Sequence, residues 1–228
     1  MIHYHCADIH PHHRLTELAG KHLLVSHAYP TAAMISHQIG QSCLLDNGAF
    51  SVWKSGKTAD WSAFYEWVDV YLDCPTTWAI IPDVIDADEQ TQDLLVEQWP
   101  YGHRGSPVWH IDESMGRLFR LIEAWPRVCI GSAGEWPDVG TDSWHRRMTH
   151  VFNEVSKRGR LPFLHGLRMQ GVGHLYPFGS VDSADIARNN NRKQNTIRGM
   201  AARWDSVQPQ IRWHQQPEQI DLMEFTHG

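Results

Sequence analysis

Acidic side chains stand at or just beyond the ends of five short apolar runs, where folding can bring them together. The runs are SCLLD, WAIIPD, VWHID, CIGSAGE and FGSVD, and their carboxylates are Asp46, Asp83, Asp112, Glu135 and Asp182. Each one alone is also a candidate N-cap for a following helix. Two carboxylates together can act as nucleophile and general acid, as in retaining glycosidases. The pattern therefore predicts acid–base or nucleophilic chemistry at this set of chain positions.

The sequence next to Asp46 indicates a flat ligand. Asp46 opens an Asp-Asn-Gly turn whose glycine permits close backbone approach, and Phe50 just beyond it can stack on a planar group. A second loop, CIGSAGE, is built from small residues whose backbone amides can face a carbonyl oxygen. We expect a planar, polar ligand with an exocyclic oxygen.

The charge of the chain is unevenly distributed. The formal net charge is −6, yet residues 143–203 hold 11 Lys and Arg against 3 Asp and Glu. Such a segment indicates an anion-binding face, although a solvated helix surface has the same composition. The candidates for phosphate contacts are Arg188, Arg192, Lys193 and Arg198. A nucleobase that is part of a nucleic acid would account for the carboxylates, the flat binding site and the basic face together. A base in a duplex must first flip out of the helix to reach such a site.

Composition excludes several classes of protein. With 42% hydrophobic and 20% charged residues among 228, the chain is neither disordered nor membrane-spanning, since no stretch approaches about 18 apolar residues. Its cysteines, Cys6, Cys43, Cys74 and Cys129, form no CxxC pair. This predicts free thiols in a reducing cytoplasm and no cysteine-rich zinc site. We expect no metal or other cofactor.

Short apolar runs alternate with helical periods along the whole chain. Candidate strands are Ile2–Cys6, His22–Ser26, Cys43–Leu45, Trp78–Ile81, Val108–Ile111, Val128–Ile130, Phe163–His165, Gly179–Val181 and Ile211–Trp213. Helical stripes begin at Trp61, Leu118 and Trp144, and Asp86 with Glu89 resembles a capping pair. Alternation predicts parallel βα units, either an open sheet or a barrel. Because no glycine-rich nucleotide motif follows a strand, we favour one compact (β/α)8 TIM-type barrel, regular or irregular, over residues 1–228.

Between residues 44 and 189, five segments resemble the tRNA-guanine transglycosylase superfamily. They are LLDNGAFSVWKSG, IIPDVID, CIGSAGE, LHGLRMQG and YPFGSVDSAD, and they occur in the same order as in that family. The similarity is greatest to the DpdA-like branch of small phage and bacterial proteins that act on deazapurines in DNA. The resemblance implies a (β/α)8 barrel enzyme that cleaves the N-glycosidic bond of a nucleobase.

The same resemblance implies roles for individual residues. Asp182 would be the nucleophile that forms a covalent glycosyl-enzyme, Asp46 an acid/base or base-recognition residue, and Asp83 a reader of the base edge. The remaining candidates for the base pocket are Phe50, Gly131, Ser132, Ala133, His165 and Met169. His165 is equally well explained as a structural histidine or as one that orients a neighbouring loop.

Two departures from the family change the expected substrate. The tRNA enzymes carry a CxCxxC…H zinc site near the C-terminus, whereas this chain has no cysteine after Cys129 and is much shorter. We therefore expect DNA, single- or double-stranded, as the partner rather than tRNA. The second step is either base exchange with a free deazapurine base or hydrolysis that leaves an abasic site, as in phage defence or repair.

Two other classes of function remain open at the level of sequence. His3-x-His5 resembles the first ligand pair of amidohydrolase barrels, and His110, His165 and Asp182 would complete a metal site. A non-catalytic binding module is the third interpretation. Unpaired carboxylates near a DNA-binding face would lower the affinity of such a module for DNA, because they repel phosphate.

Overall fold

A computed structural model describes residues 1–209 and 212–217. In this part of the chain a sheet of nine parallel strands alternates with helices. The strands are β1 Ile2–Cys6, β2 His22–Ser26, β3 Ser42–Asp46, β4 Thr77–Ile80, β5 Gly105–Ser106, β6 Val108–His110, β7 Arg127–Gly131, β8 Phe163–Gly166 and β9 Ser180–Ser183. The fold is α/β with a nearly closed barrel-shaped sheet, as the sequence predicts.

Pro107 joins the two edges of the sheet. β5 and β6 are the edge strands of the order β5-β4-β3-β2-β1-β9-β8-β7-β6, and only this proline separates them along the chain. β5 pairs with β4 and β6 pairs with β7, while the Pro107 carbonyl accepts a hydrogen bond of 2.8 Å from the Cys129 amide. A proline cannot donate to a ladder, so the strand breaks there. If β5 and β6 are counted as one interrupted strand, the barrel has eight strands.

Eight α-helices are described around the barrel. They are α1 Ala33–Ile39, α2 Ala49–Ser55, α3 Trp61–Asp69, α4 Glu89–Glu97, α5 Met115–Ala124, α6 Asp142–Ser156, α7 Asp185–Asn189 and α8 Ile197–Asp205. Short 3-10 helices cover His12–Leu18, Pro30–Ala32, Gly102–Arg104 and Gly173–Leu175. Five of the α-helices start at a side chain that accepts an amide hydrogen bond, from Asp60, Asp88, Ser114, Thr141 and Thr196. These caps satisfy amides that lack an intrahelical partner.

The side chains that point into the barrel are apolar in its middle and polar at the carboxyl ends of the strands. Inward side chains such as Tyr4, Leu44 and Val108 form a buried cluster in its middle. Two residues further along β3 and β6 come Asp46 and His110, which face the same side because strand side chains alternate. The carboxyl ends of the parallel strands therefore carry polar groups into one mouth.

Two separate apolar clusters fill the space between sheet and helices. The first includes Leu23, Leu45, Phe64, Val68 and Met200, and therefore spans the β2–β3 side with α3 and α8. The second includes Trp109, Leu118, Trp144, Phe152 and Leu164, on the β6–β8 side with α5 and α6. The tryptophans at the predicted helix and strand positions are mostly core residues.

Most element predictions are confirmed, and three differ. Each strand predicted before residue 200 is present, β1 and β2 with the predicted ends and the others with ends shifted by at most two residues, while β5 is absent from the sequence prediction. The predicted cap is wrong, because Asp88 caps α4 and Asp86 adopts a φ of 66° and accepts a hydrogen bond from Trp53. Within the last predicted strand, Arg212 and Trp213 are not in a strand, and Ile211 lies outside the described residues. None of the helices described here could cross a bilayer.

Gly105 leaves no room for a side chain at the closure of the barrel. A Cβ at this position would lie 2.3 Å from Trp99 Nε1 and 2.6 Å from Ile81 Cγ1. We predict that Gly105→Ala lowers the free energy of unfolding by about 1–3 kcal/mol, the usual cost of overpacking. Urea unfolding followed by circular dichroism measures this change.

Gly116 in α5 provides the matched control. A methyl group added at this position would meet nothing closer than Ser114 Oγ at 3.7 Å, so Gly116→Ala should leave stability unchanged or raise it by about 0.5–1 kcal/mol. Equal stabilities of the two alanine variants would contradict the steric explanation.

Candidate active site at the barrel mouth

The mouth of the barrel contains a pocket of about 540 Å³, including its open entrance. Its floor is apolar and includes Leu24, Ile80 and Leu167. Its walls are polar, and they bring together three of the five carboxylates singled out in the sequence: Asp46, Asp83 and Asp182. Three of the five carboxylates therefore converge on one site at the carboxyl ends of the strands.

Asp182, in β9, is buried with one carboxylate oxygen fixed by the backbone. Its Oδ1 accepts a hydrogen bond of 2.8 Å from the amide of Arg168. His165 Nε2 lies 3.3 Å from the same oxygen, without hydrogen-bond geometry. Among the described residues no donor contacts Oδ2. An oriented carboxylate with one uncommitted oxygen at a pocket wall is suited to nucleophilic attack.

Asp46 ends β3 and has an environment that favours its neutral form. Burial, together with the nearby carboxylates of Asp182 and Asp83, raises the pKa of Asp46 to about 6, although hydrogen bonds from Ser26 and from the Gly48 amide act in the opposite direction. The Gly48 amide lies 3.3 Å from Asp46 Oδ1. A carboxyl group whose pKa lies near neutrality can both give and take a proton at physiological pH.

Asp83 is held by two donors, one on each oxygen. Asn47 Nδ2 donates to Oδ1 at 2.7 Å, and His110 Nε2 lies 3.0 Å from Oδ2. Asn47 also donates to the Ile81 carbonyl and accepts from the Ala49 amide, so it joins the loop after β3 to the loop after β4. From the sequence, Asn47 is identified only as a turn residue. Its contact with Asp83 joins two residues that are 36 positions apart in the chain, and no local pattern indicates it.

His110 connects the pocket to a series of charged side chains behind it. Its Nδ1 lies 3.4 Å from Glu113 Oε1, opposite the nitrogen that faces Asp83. Burial lowers the pKa of His110, but hydrogen bonds with Asp83 and Glu113 outweigh it and raise the pKa to about 10. Glu113 in turn accepts from the buried Arg117 at 2.6 Å, and Arg117 Nε donates to Asp93. The imidazole is therefore a cation that holds Asp83 in place.

Arg168 is a pocket residue that the sequence prediction missed. It follows β8 with a φ of 58°, and its guanidinium carbon lies 3.7 Å from the centre of the Phe50 ring. Partial burial lowers the pKa of Arg168, whereas the carboxylates of Asp182, Asp46 and Asp83 act to raise it. Arginine stays charged under these conditions. Its unusual backbone conformation, and thus its position, gives no signal in the sequence.

The structure distributes the other predicted base-pocket residues between the pocket and the core. Phe50, Gly131 and Ser132 line the pocket, and Gly131 is needed because a Cβ there would lie 2.9 Å from the His110 ring. Ala133 is buried next to them but is not part of the lining. Met169 and His165 are fully buried, Met169 in the outer core and His165 inside the barrel beneath Asp182.

The basic residues after β9 lie outside the pocket. The side chains of Arg188, Arg192, Lys193 and Arg198 are exposed, and within the described ranges none of them forms an ion pair. Arg188 is near enough to Arg168 to contribute to lowering its pKa. This arrangement is compatible with a phosphate-binding rim and also with an ordinary solvated surface.

Two of the five carboxylates and the histidine pair lie elsewhere. Asp112 and Glu135 are exposed and do not line the pocket. His5 Nε2 contacts Asp205 and His3 Nε2 contacts the Val207 carbonyl. Both rings therefore face α8 and the chain after it, on the opposite side of β1 from the barrel interior. In the described part of the chain no group of three His, Cys, Asp or Glu residues is placed to hold a metal ion.

Comparisons of the chain with protein-family models, with curated proteins and with solved structures gave no match. The resemblance to the transglycosylase superfamily therefore rests on the five sequence segments alone.

The pKa of Asp46 predicts a pH-dependent contribution to stability. Between the ordinary value of 3.8 and about 6, folded protein retains a proton that the unfolded chain has lost. Stability due to Asp46 is therefore present below that window and decreases as pH rises through it. We predict that the difference in unfolding free energy between wild type and Asp46→Asn falls by roughly 1–3 kcal/mol from pH 4 to pH 7.

Urea unfolding at a series of pH values measures this difference. Asp112→Asn is the control for the loss of a carboxylate next to a barrel strand, because Asp112 is exposed and lies outside the pocket. A difference for Asp46→Asn that does not change with pH would contradict the raised pKa of Asp46.

The His110 contacts predict a protonated imidazole at pH 8. In ¹⁵N-edited NMR spectra of the wild type, both ring nitrogens of His110 should carry a proton, because each faces a carboxylate. Glu113→Gln should lower the pKa of His110, since a neutral amide replaces one of the two charges. A wild-type spectrum with one unprotonated ring nitrogen would contradict the cationic assignment without reference to the variant.

Proposed function

We propose that this protein cleaves the N-glycosidic bond of a nucleobase in DNA through a covalent intermediate on Asp182. The observation that carries the proposal is the convergence of two differently placed carboxyl groups in one pocket: Asp182 has an oriented, uncommitted oxygen, and Asp46 has a pKa near 6. The resemblance of the sequence segments around both residues to a family of base-exchanging barrel enzymes supports the same chemistry.

In the first step, an oxygen of ionised Asp182 attacks C1′ of the sugar. The C1′–N bond breaks, its electron pair leaves with the base, and the proton of neutral Asp46 passes to that base. The sugar is now joined to Asp182 as an ester, and Asp46 is ionised. This is the two-carboxylate mechanism of retaining glycosidases applied to a nitrogen leaving group.

In the second step, Asp46 takes a proton from the incoming nucleophile. If the nucleophile is a free deazapurine base, its nitrogen attacks C1′, the ester bond breaks and the base is exchanged. If the nucleophile is water, the product is an abasic site. The cationic His110 keeps Asp83 oriented for hydrogen bonding with donors on the base edge, and Arg168 with Phe50 provides a flat wall.

The test is base release from DNA oligonucleotides. Single- and double-stranded substrates with natural or modified bases are incubated with and without free deazaguanine, and free bases, exchanged bases and abasic sites are followed by mass spectrometry. Asp182→Ala should lower the rate by about 10³-fold or more. Asp46→Asn should lower it by about 10²–10⁴-fold, the usual contribution of a general acid. A protein–DNA adduct should be trapped with wild type and not with Asp182→Ala.

Asp112→Asn is the matched control here too, and it should retain the wild-type rate within about twofold, since Asp112 is outside the pocket. Exchange and hydrolysis are both forms of the proposed chemistry, and the products distinguish them. Release that persists in Asp182→Ala would overturn the nucleophile assignment. Absence of release from every substrate would overturn the proposed function.

A further inference from the structure

A second groove adjoins the candidate active site and has no role in the proposed reaction. It encloses about 810 Å³, including its open side, between α2, the loop that follows α2 and the loop that follows β4. Ala49, Asp83 and Ile85 line both this groove and the catalytic pocket. A ligand long enough to leave the pocket on this side would therefore enter the groove directly.

Trp53 provides an aromatic surface in this groove. It is 50% exposed, and Nε1 donates a hydrogen bond of 2.9 Å to Asp86 Oδ2. The indole is thus held at its edge while much of its surface faces solvent. An exposed and oriented tryptophan is unusual for a residue with only a packing role, because large apolar side chains are usually buried.

Trp53 follows Phe50 by three residues, so α2 presents both rings on neighbouring parts of its surface. The ring centres are 5.8 Å apart with an angle of 31° between the planes. Phe50 lies in the catalytic pocket and Trp53 in the groove. Successive aromatic surfaces along a path are how proteins bind consecutive bases of a single strand.

We propose that this groove binds the nucleotide next to the one in the catalytic pocket, with its base stacked on Trp53. The proposal rests on the proposed function, because it assumes that the pocket holds one nucleotide of a strand. Lys57 lies in the lining of the groove, where its ammonium group can reach the connecting phosphate. The substrate is then a strand with at least two unpaired nucleotides at the site.

The test combines a substitution in the protein with a deletion in the substrate. Base release is measured on single-stranded oligonucleotides that carry a tetrahydrofuran abasic residue on the 5′ or the 3′ side of the target base. Stacking of a base on an aromatic ring contributes about 1–3 kcal/mol, so Trp53→Ala should lower kcat/KM about 5- to 100-fold on the intact strand. With the abasic residue on the relevant side, wild type and Trp53→Ala should be equally slow.

Three further variants separate stacking from other effects. Trp53→Phe keeps a flat ring and should retain most activity, whereas Trp53→Leu keeps an apolar side chain and should behave like Trp53→Ala. Leu94→Ala, at a side chain in α4 that is 49% exposed and outside the groove, should have no effect. In addition, Lys57→Ala should reduce the slope of log affinity against log salt by about 1.

Fluorescence anisotropy with a labelled single-stranded oligonucleotide gives a readout that does not need catalysis. Release by wild type with no effect of Trp53→Ala or of either abasic neighbour would overturn the groove assignment and leave the proposed function intact. Binding weakened by Trp53→Ala, without base release from any substrate, would support the groove and overturn the proposed function. Wild type that neither binds nor cleaves the strand would overturn both. If Trp53→Ala changes only the KM for free deazaguanine, the groove binds the incoming base. That result would overturn the assignment of the groove to a neighbouring nucleotide.

Discussion

Three carboxylates in one partly dry pocket repel one another, and much of the structure around the mouth compensates for this. Burial increases the cost of each charge, because fewer water molecules remain to solvate it. Each carboxylate is accommodated differently: Asp83 contacts His110, Asp182 accepts from a backbone amide, and Asp46 has a pKa raised to about 6, so it keeps its proton to a higher pH than an ordinary aspartate. The three side chains are chemically identical, and their environments give them different properties.

This compensation extends well behind the pocket. The pKa of His110 is raised by Asp83 on one side of the ring and by Glu113 on the other. Glu113 is paired with the buried Arg117, which also contacts Asp93. Buried ion pairs seldom stabilise a fold as much as a well-packed apolar core would. The pair that contains His110 positions a pocket residue, since an apolar residue at position 110 would remove one of the two side-chain donors that hold Asp83.

The sequence predicted the parts of the site that depend on local pattern. Apolar runs that end in an acid identified the strands and, through them, Asp46, Asp83 and Asp182, because alternation and parallel pairing are local rules. It did not distinguish Asp112 and Glu135, which also come shortly after strands but are exposed. Arg168 and the pairing of Asn47 with Asp83 depend on loop conformations and on contacts between distant segments, and such features leave no periodic signal. Met169 shows the converse, since a plausible pocket residue next to Arg168 packs into the core.

The chain before Pro107 supplies most of the first outer cluster and the chain after it supplies most of the second, while α8 from the second half packs onto the first cluster. Asp46 and Asp83 come from the first half, and His110, Arg168 and Asp182 from the second, so the pocket exists only where the halves meet. If the two halves moved slightly apart near Pro107, the pocket residues would separate. Both outer clusters and almost all helices would remain intact. For this protein, loss of function on heating or in denaturant should therefore precede loss of helical circular dichroism, and ligand binding should hold the two halves together.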